Sequence, residues 1–105
     1  MQFSSSARLS IADIDIEPAT AIVTVRGAPA GFTPREAARL ALLVRNAGRV
    51  VARNVVAGTI TDSALPSDNA IEVLVHRVRR RLNHAAAGVS VHTIKGIGYL
   101  LTVTT

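Results

Sequence analysis

Asn69-Ala70-Ile71-Glu72-Val73-Leu74-Val75-His76-Arg77-Val78-Arg79-Arg80-Arg81-Leu82 is the stretch that decides how this chain folds. At about 100° per residue, Ile71, Val75, Val78 and Leu82 fall within one narrow arc, the mark of a helix with a single buried stripe. Asn69, Val73, His76, Arg77 and Arg80 fall on the opposite side, and Arg79 and Arg81 project to the two flanks. Ser67 or Asp68 supplies the N-cap and Glu72 the acidic charge of the first turn, which predicts a helix over about 68–84. Such a helix fits the major groove of duplex DNA, where Arg77 and Arg80 can each offer two N–H groups to guanine O6 and N7. Asn69 can pair with adenine N6 and N7 in the same groove, and Val73 finds a thymine methyl. A basic helix end also arises for solubility and to complement the helix dipole. That account covers residues 79–81 but leaves Asn69 and Val73 unexplained.

Working outward, residues 85–88 form a linker and residues 89–95 alternate as a strand. Gly96-Ile97-Gly98 turns, and Tyr99-Leu100-Leu101-Thr102-Val103 pairs back as a hairpin. Its tip carries Lys95, a cation able to reach a minor groove, whose readout is mostly A·T against G·C. Thr93 either donates to a phosphate or occupies the wet face of the strand.

Upstream, Thr33-Pro34-Arg35-Glu36 puts a hydroxyl at N-cap, proline at N1 and glutamate at N3. A helix is expected over 34–46, with Leu40, Leu43 and Ala47 inside and Gly48 ending it. After Val50-Val51, a weaker helix is expected over 53–61, with Gly58 in its interior and no side-chain cap from Ala52. Arg49 and Arg53, at its start, are placed to clamp a flanking phosphate. Residues 9–16 alternate as one strand, residues 21–26 as another, and a short edge strand ends near Phe32. The N-terminal third is therefore a small antiparallel meander. Residues 1–7 read as a Ser-rich tail or linker, and residues 8–105 as one domain.

Net charge is +5 over 105 residues, and from Arg77 to Lys95 there is no acidic residue. Concentrated positive charge suits a polyanion partner. Hydrophobic residues at 49 % exclude a disordered chain, and aromatics at 3 % leave the core to Val, Ile, Leu and Ala. The absence of cysteine excludes thiol catalysis and disulfides. No apolar run approaches the roughly 18–20 residues of a membrane span, and no signal peptide is legible, so a cytoplasmic protein is expected. Enzyme readings fail as well. His76, His84 and His92 match no metal-ligand spacing, Gly96-Ile97-Gly98 follows no phosphate-loop pattern, and no carboxylate pair favours acid–base work. No cofactor is expected.

Thr33-Pro34-Arg35-Glu36, Gly48-Arg49-Val50-Val51, the 69–82 stretch and Thr93-Ile94-Lys95-Gly96-Ile97-Gly98-Tyr99, in this order, resemble the effector domain of OmpR/PhoB-type response regulators over residues 9–103. The resemblance implies an α+β winged helix-turn-helix: an N-terminal antiparallel four-stranded sheet, three helices and a C-terminal β-hairpin wing. It further implies tandem half-sites bound head-to-tail as a dimer, the third helix in the major groove and the residue matching Lys95 in the minor groove. By the same resemblance, loop 62–67 touches RNA polymerase, and a phosphoacceptor receiver domain and sensor kinase act upstream. No receiver lies within these residues, so either one precedes them or the effector stands alone. This chain departs from the family pattern at Ala37 (usually bulky and apolar), Arg39 (often leucine), Ala52 (a serine cap) and Thr61 (tryptophan). These changes are expected to thin the core between the first two helices.

The expected function is sequence-specific binding of double-stranded DNA in transcription regulation. Asn69, Val73, His76, Arg77 and Arg80 would lie nearest the bases. Arg79, Arg81, Thr93 and Lys95 would serve as backbone and wing contacts, with Arg49 and Arg53 beside them. Two rivals stand: a winged-helix module docking on an acidic protein partner, and non-specific nucleic-acid packaging. The lack of aromatics on the basic face argues against single-strand stacking.

Overall fold

A computed structural model describes residues 8–58 and 67–104. Strands β1 (Leu9–Ile11), β2 (Ile14–Glu17), β3 (Ile22–Val25) and β4 (Ala28–Pro29) form an antiparallel sheet in that order. Register pairs Ile14 with Val25 and Ile16 with Val23. All four side chains thus share one face and are buried, as alternating apolar strands require.

Residues 9–16 are therefore two strands rather than the single strand expected. Ala12 and Asp13 make a tight turn between paired Ile11 and Ile14, with φ +51° at Ala12. Left-handed backbone costs an L-residue about 1–2 kcal/mol, so alanine gives no turn signal. Arg26 supplies the missing support from the β3–β4 turn: its N–H donates to the Asp13 carbonyl at 2.9 Å, and its guanidinium pairs with the Asp13 carboxylate at 3.2 Å. The edge strand β4 is also shorter than expected, ending at Pro29 with Phe32 half-buried beyond it.

Helix α1 (Pro34–Arg45) begins as its sequence requires. Thr33 Oγ1 accepts from the Glu36 N–H at 3.2 Å, and Glu36 Oε1 accepts from the Thr33 N–H at 2.9 Å. Leu40 and Leu43 are buried, but Ala47 is exposed, because the helix ends at Arg45 and Ala47 leaves its periodicity. Asn46 caps it, and Gly48, at φ +82°, donates its N–H to the Leu101 carbonyl.

Strand β5 (Val51–Ala52) was not expected as a strand. It pairs with β7 (Gly98–Val103), which pairs with β6 (Val89–Ile94), giving a second sheet in the order β5-β7-β6. Two residues carry no local strand signature, and pairing across about fifty residues of chain is decided by packing. Helix α2 (Arg53–Ala57) follows without a side-chain cap at Ala52. Gly58 is its C-cap, not an interior residue, and the rest of the expected 53–61 helix lies outside the described residues. The same holds for residues 1–7 and for loop residues 62–66.

Helix α3 (Asp68–Ala85) runs one residue past its expected end and stops at Ala86, in left-handed backbone. Arg26 closes this end too, donating to the carbonyls of Ala85 at 2.7 Å and Ala86 at 2.9 Å. A cation at a helix C-terminus satisfies orphan carbonyls and the dipole together. The β3–β4 turn and the β1–β2 turn are thereby tied to the tail of α3.

Space beside Ala37 is seen on the side of α1 that faces the N-terminal sheet. A groove of about 440 Å³ opens between α1 and the N-terminal sheet, bordered by Ala37, Ala38, Ala41, Ile16 and Ala21. Ala37 shares this groove with Ile16 and Ala21 of the sheet side, so its small side chain leaves space there.

Among the described glycines, Gly98 is the most closely approached. A Cβ at this position would sit 1.9 Å from the Val51 carbonyl oxygen, which is backbone and cannot rotate away. Gly98→Ala is expected to lower stability by at least about 1–3 kcal/mol by prising β5 off β7. Urea unfolding of the two proteins, read by far-UV circular dichroism, checks this; equal midpoints would be the contrary result.

Candidate nucleic-acid interface

Helix α3 has two chemically opposite sides. Ile71, Val75, Val78 and Leu82 are each 3 % exposed or less and enter the common core. Burial of four such side chains is worth about 1.5–3 kcal/mol apiece. Asn69, Val73, His76, Arg77 and Arg80 are all exposed, Val73 at 44 %. The Ser67 hydroxyl accepts from the Ala70 N–H at 3.2 Å and fixes where the helix starts. The predicted split between core stripe and outward face is thus the observed one.

The two flanking arginines are engaged within the protein. Arg81 Nε donates to Glu36 Oε1 at 3.0 Å, joining α3 to the capping box of α1. Burial raises the Glu36 pKa, but the Thr33 amide and the Arg81 guanidinium outweigh it and hold the carboxyl below its ordinary value. Arg79 spends its guanidinium on three partners: Nε donates to the Val91 carbonyl at 2.8 Å, Nη1 to Glu72 Oε1 at 3.0 Å, and Nη2 to Thr93 Oγ1 at 2.7 Å.

Glu72 gathers the wing. It accepts from Arg79, from Thr93 Oγ1 at 3.2 Å, and from the Tyr99 hydroxyl at 2.9 Å. Its own burial raises the pKa, yet these hydrogen bonds and the Arg79 charge together leave it lowered. Burial, then the hydrogen bond and charge of Glu72, push the Tyr99 phenol up to about 12. Sequence reading missed Glu72 and Tyr99 as parts of the site, taking the first only as a helix-start charge. The signal was present in the spacing: Glu72 and Arg79 are seven apart, about two turns, on one flank of the helix.

The wing itself is β6, the turn at residues 95–97, and β7, closed by the Ile97 N–H to the Ile94 carbonyl at 2.9 Å. Lys95 is exposed at the tip with Gly96 at φ +77° beside it. Thr93, Lys95 and Arg53 share a crevice of about 180 Å³ between α2 and the wing, with Glu72 and Tyr99 at its floor. Arg77, Arg80 and Arg81 share another, of about 400 Å³, with Glu36 and His84. Arg49 is exposed in the turn after α1 and borders neither crevice. Among the described residues, no group of His, Asp or Glu is placed to hold a metal ion, and no helix is long and apolar enough to cross a membrane.

The Tyr99 shift gives a sign for alkaline stability. The unfolded phenol loses its proton near 10 and the folded one near 12, so the stabilisation is complete below pH 10 and disappears as pH rises between those values. A shift of this size corresponds to about 2–3 kcal/mol. Urea midpoints at about pH 9 and about pH 11 should differ by more in the wild type than in Tyr99→Phe; parallel losses in the two proteins would refute the linkage.

The known proteins that this chain resembles agree with one another. Residues 27–101 match the family model described as transcriptional regulatory protein, C terminal. The chain is 37 % identical over 98 residues to the transcriptional regulatory protein QseB of Escherichia coli O157:H7, covering 92 % of this chain and 43 % of that protein. It superposes on the DNA-binding domain of CpxR from E. coli with a TM-score of 0.79 at 24 % identity, over 95 % of this chain and 100 % of that domain. The DNA-binding domain of the response regulator AdeR, solved in complex with an intercistronic region, gives 0.79 at 17 % identity, over 90 % of this chain and 98 % of that one. The chain spans less than half the length of the curated relatives it matches. It belongs to the transcriptional regulatory protein C-terminal family, the winged-helix effector domains of OmpR/PhoB-type response regulators.

Proposed function

We propose that this domain binds duplex DNA sequence-specifically, with α3 in the major groove and the β6–β7 wing in the adjacent minor groove, and so regulates transcription. The observation that carries the reading is the face of α3: Asn69, Val73, His76, Arg77 and Arg80 all stand in solvent while the opposite stripe is locked in the core. Arg77 and Arg80 read guanine, Asn69 reads adenine, and Val73 covers a thymine methyl that replaces its contact with water. His76 meets the groove wall or a phosphate. Lys95 enters the minor groove from the wing tip, and Arg53 and Arg49 hold a flanking phosphate.

Arg79 and Thr93 act here chiefly by fixing the angle between helix and wing, because their polar atoms meet each other and Glu72. Arg81 likewise sets α3 against α1 while its remaining N–H groups face the DNA backbone. The domain is a binding module rather than a catalyst. In the whole protein, a receiver domain answering to a sensor kinase would precede it in the cytoplasm. Two copies would occupy tandem half-sites, and loop 62–67 would approach RNA polymerase.

Titration of selected duplex sites against random-sequence competitor, over a range of salt, tests this. A steep salt slope with a large site preference supports the reading. No duplex binding near 100 mM salt would instead favour an acidic protein partner. Arg77→Ala is expected to cost about 1–3 kcal/mol on the preferred site and relax one base position. Equal losses on preferred and random DNA would strip Arg77 of its base-reading role. Arg79→Ala should weaken every duplex alike and, by taking one donor from Glu72 and one from the Val91 carbonyl, also lower stability by about 1–3 kcal/mol.

A further inference from the structure

The seam between α1 and α3 places charges in an unusual order. Glu36 meets Arg81 through a direct hydrogen bond. One turn further along α1 stands Arg39, and one turn back along α3 stands Arg77, so the next rung of the same seam is a meeting of two cations. Arg39 is 2 % exposed, and its Nε has no hydrogen-bond partner among the described residues. Burial, then the charge of Arg35, depress its pKa; Glu36 opposes them, and Arg77 adds a smaller push downward. Glu36 is already committed to the Thr33 amide and to Arg81. A buried guanidinium with an orphaned donor, pressed by two others, is costly without a compensating anion.

On the Arg77 side of this rung lies a cleft of about 400 Å³ bordered by Arg77, Arg80, Arg81, His84 and Glu36. It is large enough for a tetrahedral oxyanion and its water. Three guanidiniums, of Arg77, Arg80 and Arg81, line it against the single carboxylate of Glu36, and the charges of Arg35 and Arg77 act on the buried Arg39. We propose that this cleft is a phosphate-binding pocket, in which Arg77, Arg80 and Arg81 touch the anion and the buried Arg39 supplies the charge behind them. Resting on the DNA-binding reading, the phosphate is assigned to the DNA backbone beside the base contacts of α3. Arg39 is then a positioning residue: it drives the Arg77 guanidinium outward by like-charge repulsion, and docking of the phosphate relieves that repulsion. Base recognition and backbone neutralisation become linked through one pair of side chains, which a leucine at position 39 could not do.

The test compares wild type with Arg39→Leu in two measurements. In the first, inorganic phosphate replaces chloride at constant ionic strength and the melting temperature is followed without DNA. The wild type should rise and saturate, while Arg39→Leu should start higher, because an unpaired buried charge is gone, and respond little. In the second, binding to the preferred duplex is titrated with salt. Arg39→Leu should lower the slope of log K against log salt by about one and weaken the preference at the base position that Arg77 reads. Phosphate that raises both proteins equally, or an unchanged slope, overturns the pocket while leaving specific DNA binding intact. A wild type that binds no duplex but saturates with phosphate would retain the pocket and remove its assignment to DNA. Should the leucine variant fail to fold, Arg39→Lys keeps the charge and discards the Nε donor; it is expected to retain the wild-type slope, and a lost slope there would contradict a role for charge.

Discussion

Everything distinctive about this domain hangs on the anchoring of α3 by Ile71, Val75, Val78 and Leu82. Their burial sets the rotation of the helix about its own axis. Once that rotation is set, the 3.6-residue period leaves Asn69, Val73, His76, Arg77 and Arg80 no direction except outward. A rotation by one residue, about 100°, would carry Arg79 toward the core, at the cost of desolvating a charge. The apolar stripe therefore orients the polar face as well as stabilising the fold. Rotation alone still leaves the helix free to slide and tilt. Those freedoms are removed at its two ends, by the Ser67 cap at one and by Arg26 on the last carbonyls at the other.

A second constraint joins helix to wing. Glu72 receives Arg79, Thr93 and Tyr99, three donors from three places in the chain. A carboxylate with partly buried donors on both oxygens is held far more rigidly than an exposed ion pair, since each partner loses water to join it. Its consequence is geometric. The distance from α3 to the turn at residues 95–97 is fixed before any ligand arrives, so a two-groove contact requires little reordering on binding. Gly98 serves the same end from the other side, letting β5 approach β7 closely enough to brace the hairpin against the linker between α1 and α2.

The long elements were legible because their signals are local. The capping box at Thr33 and Glu36, the apolar arc of α3 and the alternation of β6 each lie within a few residues of one another. Errors fell where the deciding contact is distant. The turn at Ala12 is held by Arg26, thirteen residues on from Asp13 and invisible to any propensity. Strand β5 exists because Tyr99 and Gly98 are there to receive it. Ala47 looked like a core position only while the helix was thought to continue to Asn46. At the interface, exposure of the base-facing residues followed from periodicity, whereas the inward duties of Arg79 and Arg81 did not, since a flanking side chain can turn either way.

Amino-acid order alone thus determined the family, the succession of three helices and a terminal hairpin, and which side of α3 carries charge, because hydrophobic period and capping chemistry act within one or two turns of chain. Tertiary structure alone decided that the flanking Arg79 and Arg81 are bound to Glu72 and Glu36. It also decided that Arg39 is buried beside a cationic cleft. A guanidinium has long reach and several rotatable bonds, so its partner is chosen by whatever acceptor packing brings within hydrogen-bond distance, and that choice is written in no local stretch of sequence.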